Sequence, residues 1–238
     1  MKQSKFSKFA ALLLLSAINV STAVMNSHPA FAAATKEKVS FPNKNIQLAG
    51  EIYLPDKFDS SKEYPAIVVV HPGGGVKEQT AGIYAQKLAD KGFVTLTFDS
   101  SYQGESGGEV RYIHYVPNSL EEVPDGPNRA AFKEYYDYYR TPRGMHPNSP
   151  NLYRFTSLDK MFAYTAFDHV DWISPRPLLL IAGSKAASRY LSEDAYKMAK
   201  NPRELYIIPN ATHIDLYDVP QYVDKAVTKL NSFYKKYL

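Results

Sequence analysis

The sequence predicts an α/β fold: a mostly parallel sheet, shortened through its middle, flanked by helices and carrying a Tyr- and Pro-rich cap-like insertion. Three observations predict it. The run Pro65-Ala66-Ile67-Val68-Val69-Val70 is short, wholly apolar and rich in β-branched residues, as a parallel strand buried on both faces requires. Strand, helix and strand then follow within about 35 residues, which is a βαβ unit with a right-handed crossover. The rhythm stops between Gly108 and Asp171, where no buried parallel strand is found, and returns afterwards.

Each element has its own signal. Residues 45–54 alternate apolar and polar around Gly50, giving a bent strand or a β-hairpin with one buried face. Pro55 to Glu63 is a polar turn. After the apolar run comes His71-Pro72-Gly73-Gly74-Gly75. Thr80–Lys91 has helical spacing with Ile83, Leu88 and Ala89 inward, and Gly92 supplies the stop. Phe93–Phe98 is the second strand of the unit, ending at Asp99.

The middle has a different texture. Between Tyr102 and Tyr164 lie 9 of the 19 Tyr, interrupted by Pro117, Pro124, Pro127, Pro142, Pro147 and Pro150, with a helix expected over Arg129–Arg140. Pro177–Ala182 is the next buried strand. Ser192–Lys200 reads as a helix with Ser192 as N-cap and Glu193 and Asp194 in its first turn. Glu204–Ile208 is the last strand, followed by Pro209-Asn210-Ala211-Thr212-His213. Pro220–Tyr237 closes the chain as a helix with Val223, Ala226, Val227, Leu230 and Phe233 on one side.

The first 32 residues read as a targeting segment. Lys2, Lys5 and Lys8 form a basic start, Phe9–Val20 is an apolar run of 12 residues, and Ala30-Phe31-Ala32 is a small-residue cleavage site, with Ser21-Thr22-Ala23 as the second choice. Twelve residues do not span roughly 30 Å of hydrocarbon. The expectation is export to a periplasm or the exterior, leaving residues 33–238 as one domain with the insertion at 112–174 and no stable membrane anchor. Removing three Lys and no acid leaves 25 Lys+Arg against 24 Asp+Glu, a net of +1. That balance gives no electrostatic case for nucleic acid. With no Cys there is no thiolate nucleophile, disulfide or Cys-ligated zinc. His71, His114, His146, His169 and His213 show no H-E-x-x-H or H-x-H pairing, so neither a metal nor a cofactor is expected.

Four stretches in order carry a family resemblance: Ile67–Gly75, Phe98-Asp99 through Gly104-Glu105-Ser106-Gly107-Gly108, Pro175–Ser184, and Ala211-Thr212-His213-Ile214-Asp215. With their preceding strands they resemble the α/β-hydrolase superfamily, in particular its dienelactone-hydrolase-like branch. The resemblance implies attack on an ester or lactone carbonyl, with His213 as base and the N–H of Gly73 or Gly74 as oxyanion donor. Ser106 stands in the only formal G-x-S-x-G match, yet five residues separate it from its strand and no helix start follows. In the family this stretch resembles the loop after the fourth strand, not the nucleophile elbow.

Relatives place a helix, the elbow strand and one further strand where this text passes between Glu109 and Tyr115, so about a hundred residues are expected to be absent. The loop where relatives hold the acid reads Lys185-Ala186-Ala187-Ser188. Glu193, Asp194, Asp215 and Asp218 are the nearest carboxylates in sequence. Two functions remain open: a hydrolase of a small ester-like substrate, with Ser106 or another Ser as nucleophile, or a catalytically inactive relative that binds. The shortened centre carries a structural expectation. Ile67–Val70 pairs directly with Leu178–Ile181, or it exposes an apolar edge.

Overall fold

The computed structural model describes residues 35–108, 113–114, 116–123, 125–126, 128–153 and 157–238. The expected targeting segment, and residues 109–112 and 115 beside the shortened centre, lie outside the described residues.

Two strands open the domain. β1 (Thr35–Asn43) and β2 (Ile46–Leu54) form an antiparallel hairpin that turns at Lys44 and Asn45, with Lys44 at φ 55°. β1 is charged and mostly exposed, a solvated edge of the kind that resists further pairing. β2 buries Leu48, Gly50, Glu51 and Tyr53. It pairs antiparallel with β4 (Val94–Phe98), which pairs parallel with β3 (Ala66–Val70). The order β1-β2-β4-β3 makes this sheet mixed, and its one parallel pair is the expected βαβ unit.

A π-helical turn (Lys77–Ala81) leads into α1 (Gly82–Ala89) between β3 and β4. Leu88 and the following Phe93 pack with Ile67 of β3 and with Val223 and Val227 of α6 (Pro220–Tyr237). On the C-terminal side, β7 (Leu178–Gly183) and β8 (Arg203–Ile208) pair parallel over six residues, with α4 (Arg189–Met198) between them. Ala226 of α6 packs on Ile208 and Ala211, so one helix serves both sheets. In the middle, β5 (Ile113–His114) and β6 (Leu152–Tyr153) make a short antiparallel pair. There α2 (Arg129–Arg140) buries Tyr138 and Tyr139, and α3 (Leu158–Phe162) follows. The short α5 (Asp215–Asp218) sits before α6.

Three expectations need correction. β3 is not buried on both faces: Ile67 is buried, but Val68 and Val70 are 59% and 61% exposed. A composition suited to an interior strand therefore stands at an edge. The helix after β7 begins at Arg189, not Ser192, and its N-cap position is Ser188. Glu193 pairs with Arg189 and Asp194 with Lys197, each within the helix rather than at its start. Of the two outcomes for the strands flanking the shortened centre, direct pairing is absent. β3 ends one sheet, β7 ends another, and the apolar edge is exposed.

Candidate active site

The loops leaving β7 and β8 are stitched together. Lys185 N–H donates to Ala211 O at 2.9 Å, Ser184 N–H to Ile208 O at 2.9 Å, and Asn210 N–H to Ser184 Oγ at 2.8 Å. Gly183 permits this approach, because a Cβ there would overlap the Ala211 carbonyl. The stitching places Ser188 Oγ 2.7 Å from His213 Nδ1. His213 Nε2 lies 3.1 Å from the Tyr217 hydroxyl, so each ring nitrogen meets one hydroxyl. The rings of Tyr135 and Tyr217 stand edge-on to the imidazole at 5.7 and 5.4 Å. Burial among them lowers the pKa of His213, which keeps the imidazole neutral at pH 7. A neutral imidazole is a competent base.

The nearby carboxylates are committed elsewhere. Asp215 accepts from Thr212 N–H at 2.9 Å, while its own N–H donates to Thr212 Oγ1 at 3.2 Å, a reciprocal cap that opens α5. Asp218 takes a two-pronged bond from Arg143 at 2.9 and 2.9 Å, and Asp137 takes a third at 2.8 Å. The hydrogen bonds that Arg143 donates to Asp218 come first among the effects that raise its pKa above the ordinary range. Thus the group that meets His213 Nδ1 is the Ser188 hydroxyl and not a carboxylate.

The glycine loop is fixed from below. Ser100 N–H donates to His71 Nε2 at 3.2 Å, so in the neutral ring Nδ1 carries the proton and donates to Pro72 O at 2.7 Å. Gly75 N–H closes a turn on Pro72 O at 2.8 Å. Gly73 O accepts from Gln103 Nε2 at 2.7 Å, and Gly74 O from Ser149 Oγ at 2.8 Å. Among the described residues, the N–H groups of Gly73 and Gly74 have no acceptor, so the two candidate oxyanion donors remain available.

Behind the loop, Lys77 is fully buried. Its N–H and its ammonium grip the two oxygens of Asp99 at 2.8 Å each. The ammonium also meets Glu78 at 2.6 Å and Glu105 at 2.8 Å. Burial opposes the charge on Lys77, but the hydrogen bonds it donates to Asp99, Glu105 and Glu78 outweigh it and raise the Lys77 pKa.

Ser106 is placed as a staple. Its hydroxyl donates to Asp99 O at 2.7 Å and accepts from Ala49 N–H at 2.9 Å, and Gly107 N–H donates to Gln47 O at 2.9 Å. Gly104 turns with φ 53°, and a Cβ there would overlap the Asp99 carboxylate. These glycines wrap a loop around Asp99 instead of raising a nucleophile. Among the described residues no hydrogen bond joins Ser106 to His213.

The structure therefore brings His213 together with residues the sequence did not single out. Ser188 stood in the loop searched for an acid, but a Ser there carries no signal by itself. Tyr135 and Tyr217 were lost among 19 Tyr. Glu134 of α2 reaches Thr212 and Ile214 on either side of His213, and burial raises its pKa. Tyr138 bridges the π-helical turn and α5: its hydroxyl lies 3.3 Å from Thr80 and its ring meets Tyr217 at 5.1 Å. Tyr84, on α1, adds a hydrogen bond to Leu216 O at 2.9 Å.

No family model matches the chain. It is 31% identical to an uncharacterized protein, YcjY, of Escherichia coli (strain K12) over 303 aligned positions, covering 84% of this chain and 99% of that protein. It is also 31% identical to PA2218 of Pseudomonas aeruginosa over 290 positions, covering 80% of this chain and 78% of that protein. The crystal structure of PA2218 matches with a TM-score of 0.76 at 27% identity, covering 92% of this chain and 100% of that one. The α/β hydrolase GrgF from Penicillium sp. sh18 shares the fold at 15% identity, with a TM-score of 0.62 over 85% of this chain and 99% of that one. Since 84% of 238 residues is about 200, roughly 100 of the positions aligned with YcjY face no residue here.

Proposed function

The chain belongs to the α/β-hydrolase superfamily, and from that premise we propose that it hydrolyses a small carboxyl ester or lactone. The observation that carries this reading is the 2.7 Å contact between Ser188 Oγ and Nδ1 of a buried, neutral His213. A hydroxyl within reach of a base, with a third group on the base's other nitrogen, is the arrangement that activates a nucleophile. Ser188 then takes the role first sought at Ser106. Its oxygen bonds to the acyl carbon while its proton passes to Nδ1 and Tyr217 holds Nε2. The carbonyl electrons move onto the oxygen. The imidazolium returns its proton to the departing alkoxide, and water repeats the sequence to free the acid.

A second reading is favoured by two observations: His213 has a hydroxyl where a carboxylate would strengthen it, and the chain lacks about a hundred aligned positions of its relatives. Under it the protein binds and does not turn over. A fluorophosphonate probe on the folded protein, followed by peptide mapping, separates the two. Labelling at Ser188 that is lost in His213→Ala and after heat denaturation supports the hydrolase. A folded protein that takes no label, and shows no turnover of short-chain aryl esters, supports the binding protein. Export belongs to the same proposal and rests on the pattern of residues 1–32. N-terminal sequencing of the protein recovered from outside the cytoplasm is expected to begin at Ala33.

A further inference from the structure

Among the described residues, two strand edges stop without neighbours. β3 is last in the order β1-β2-β4-β3, and β7 has only β8 beside it. Both run parallel to the one partner they have. On one face of β3, Ile67 packs with α1 and α6, while on the other Val68 and Val70 lie open. The strand Ala-Ile-Val-Val-Val holds no charge, Pro or Gly of the kind that blunts a natural edge. Such an edge pairs with whatever strand fits it.

The edges are not free to drift apart. Through Val223 and Val227 α6 holds the β3 sheet, and through Ala226 it holds the β8 loop. The match to the PA2218 structure extends over 92% of this chain with a TM-score of 0.76. The deficit against YcjY, roughly 100 positions, exceeds the 30 or so residues of one strand–helix–strand unit.

We propose that the edges of β3 and β7 form a docking site for a second polypeptide that supplies a parallel strand–helix–strand segment. Its strands continue the ladder from β3 towards β7, and its helix covers Val68 and Val70. A second copy of this chain fits less well. Its own β3 and β7 each already have a neighbour on one side, and a β3–β3 self-pair leaves β7 open. The proposal rests on the fold alone, whether or not His213 performs chemistry.

The probe is the stretch of YcjY that has no counterpart here, co-expressed with the full chain and carrying an affinity tag. The expected result is a one-to-one complex. In it, the outward amides of β3 and β7 exchange at least about tenfold more slowly than in the free chain, as ladder formation requires. Val68→Lys with Val70→Lys alters only exposed positions; this variant should keep the far-UV spectrum and melting temperature of the parent and lose the complex. Four results would overturn the proposal: no complex, a complex that the Lys variant forms equally well, β3 amides already protected in the free chain, or a homodimer that protects them. None of these readouts depends on esterase turnover, so failure of the hydrolase reading leaves them interpretable.

Discussion

The two loops that would meet a substrate are held by opposite means. Behind Gly73–Gly75 the chain spends charge: Lys77, fully buried, gathers Asp99, Glu78 and Glu105, and Asp99 in turn accepts from the Lys77 backbone N–H just past the loop. Around His213 it spends hydroxyls and rings: Ser188, Tyr217 and Tyr135 touch the imidazole, and the carboxylates nearby serve Thr212 and Arg143 instead. A buried ion cluster fixes a position at the cost of tolerating no lost member. Neutral neighbours leave a base free to stay unprotonated. Rigidity was placed under the glycine loop, and neutrality at His213.

That contrast breaks most visibly at Lys77. Lys77→Met should cost about 3–5 kcal/mol, because it leaves Asp99 buried without its cation. Urea melting measures this, and a loss under about 1 kcal/mol would show that the cluster is not what fixes the loop.

Ser188→Asp sharpens the comparison by giving the base the charge it lacks. The His213 pKa should rise by about one unit or more, read by NMR titration of the ring. An unchanged titration would place the Asp away from Nδ1. In the parent, His213 titrates below 6.5 in the fold, so between those values the unfolded chain binds the proton first. Its contribution to stability is full above about pH 6.5 and falls as the pH drops from there through the lowered folded value. Ser188→Asp should shrink or reverse that acid-side loss.

The smallest effect is expected at Ser106. Ser106→Ala removes two backbone contacts and should cost about 1 kcal/mol while leaving probe labelling unchanged. Loss of labelling in a folded Ser106→Ala protein would return Ser106 to the active site.

Much of this architecture was legible locally. The βαβ unit, α2 over Arg129–Arg140 and α6 over Pro220–Tyr237 follow from apolar periodicity and breakers, which act within a few residues. β1 was not, because a charged, exposed edge strand has no apolar alternation to display. The start of α4 was misplaced because Ser192 and Ser188 offer the same capping chemistry, and the stitched loops after β7 and β8 chose between them.

By itself, the sequence determined the fold class, the two halves of the sheet, the glycine loop, the loop that carries His213 and the shortened centre. Each of these is written in the order and periodicity of residues close together in the chain. Tertiary structure alone decided what His213 touches, that Ser106 is a staple, and that Val68 and Val70 face outward. Those outcomes depend on residues 25, 57 or more positions apart meeting in space, and on whether a neighbouring strand exists to cover a face. An apolar strand has the same letters whether its partner is present or missing.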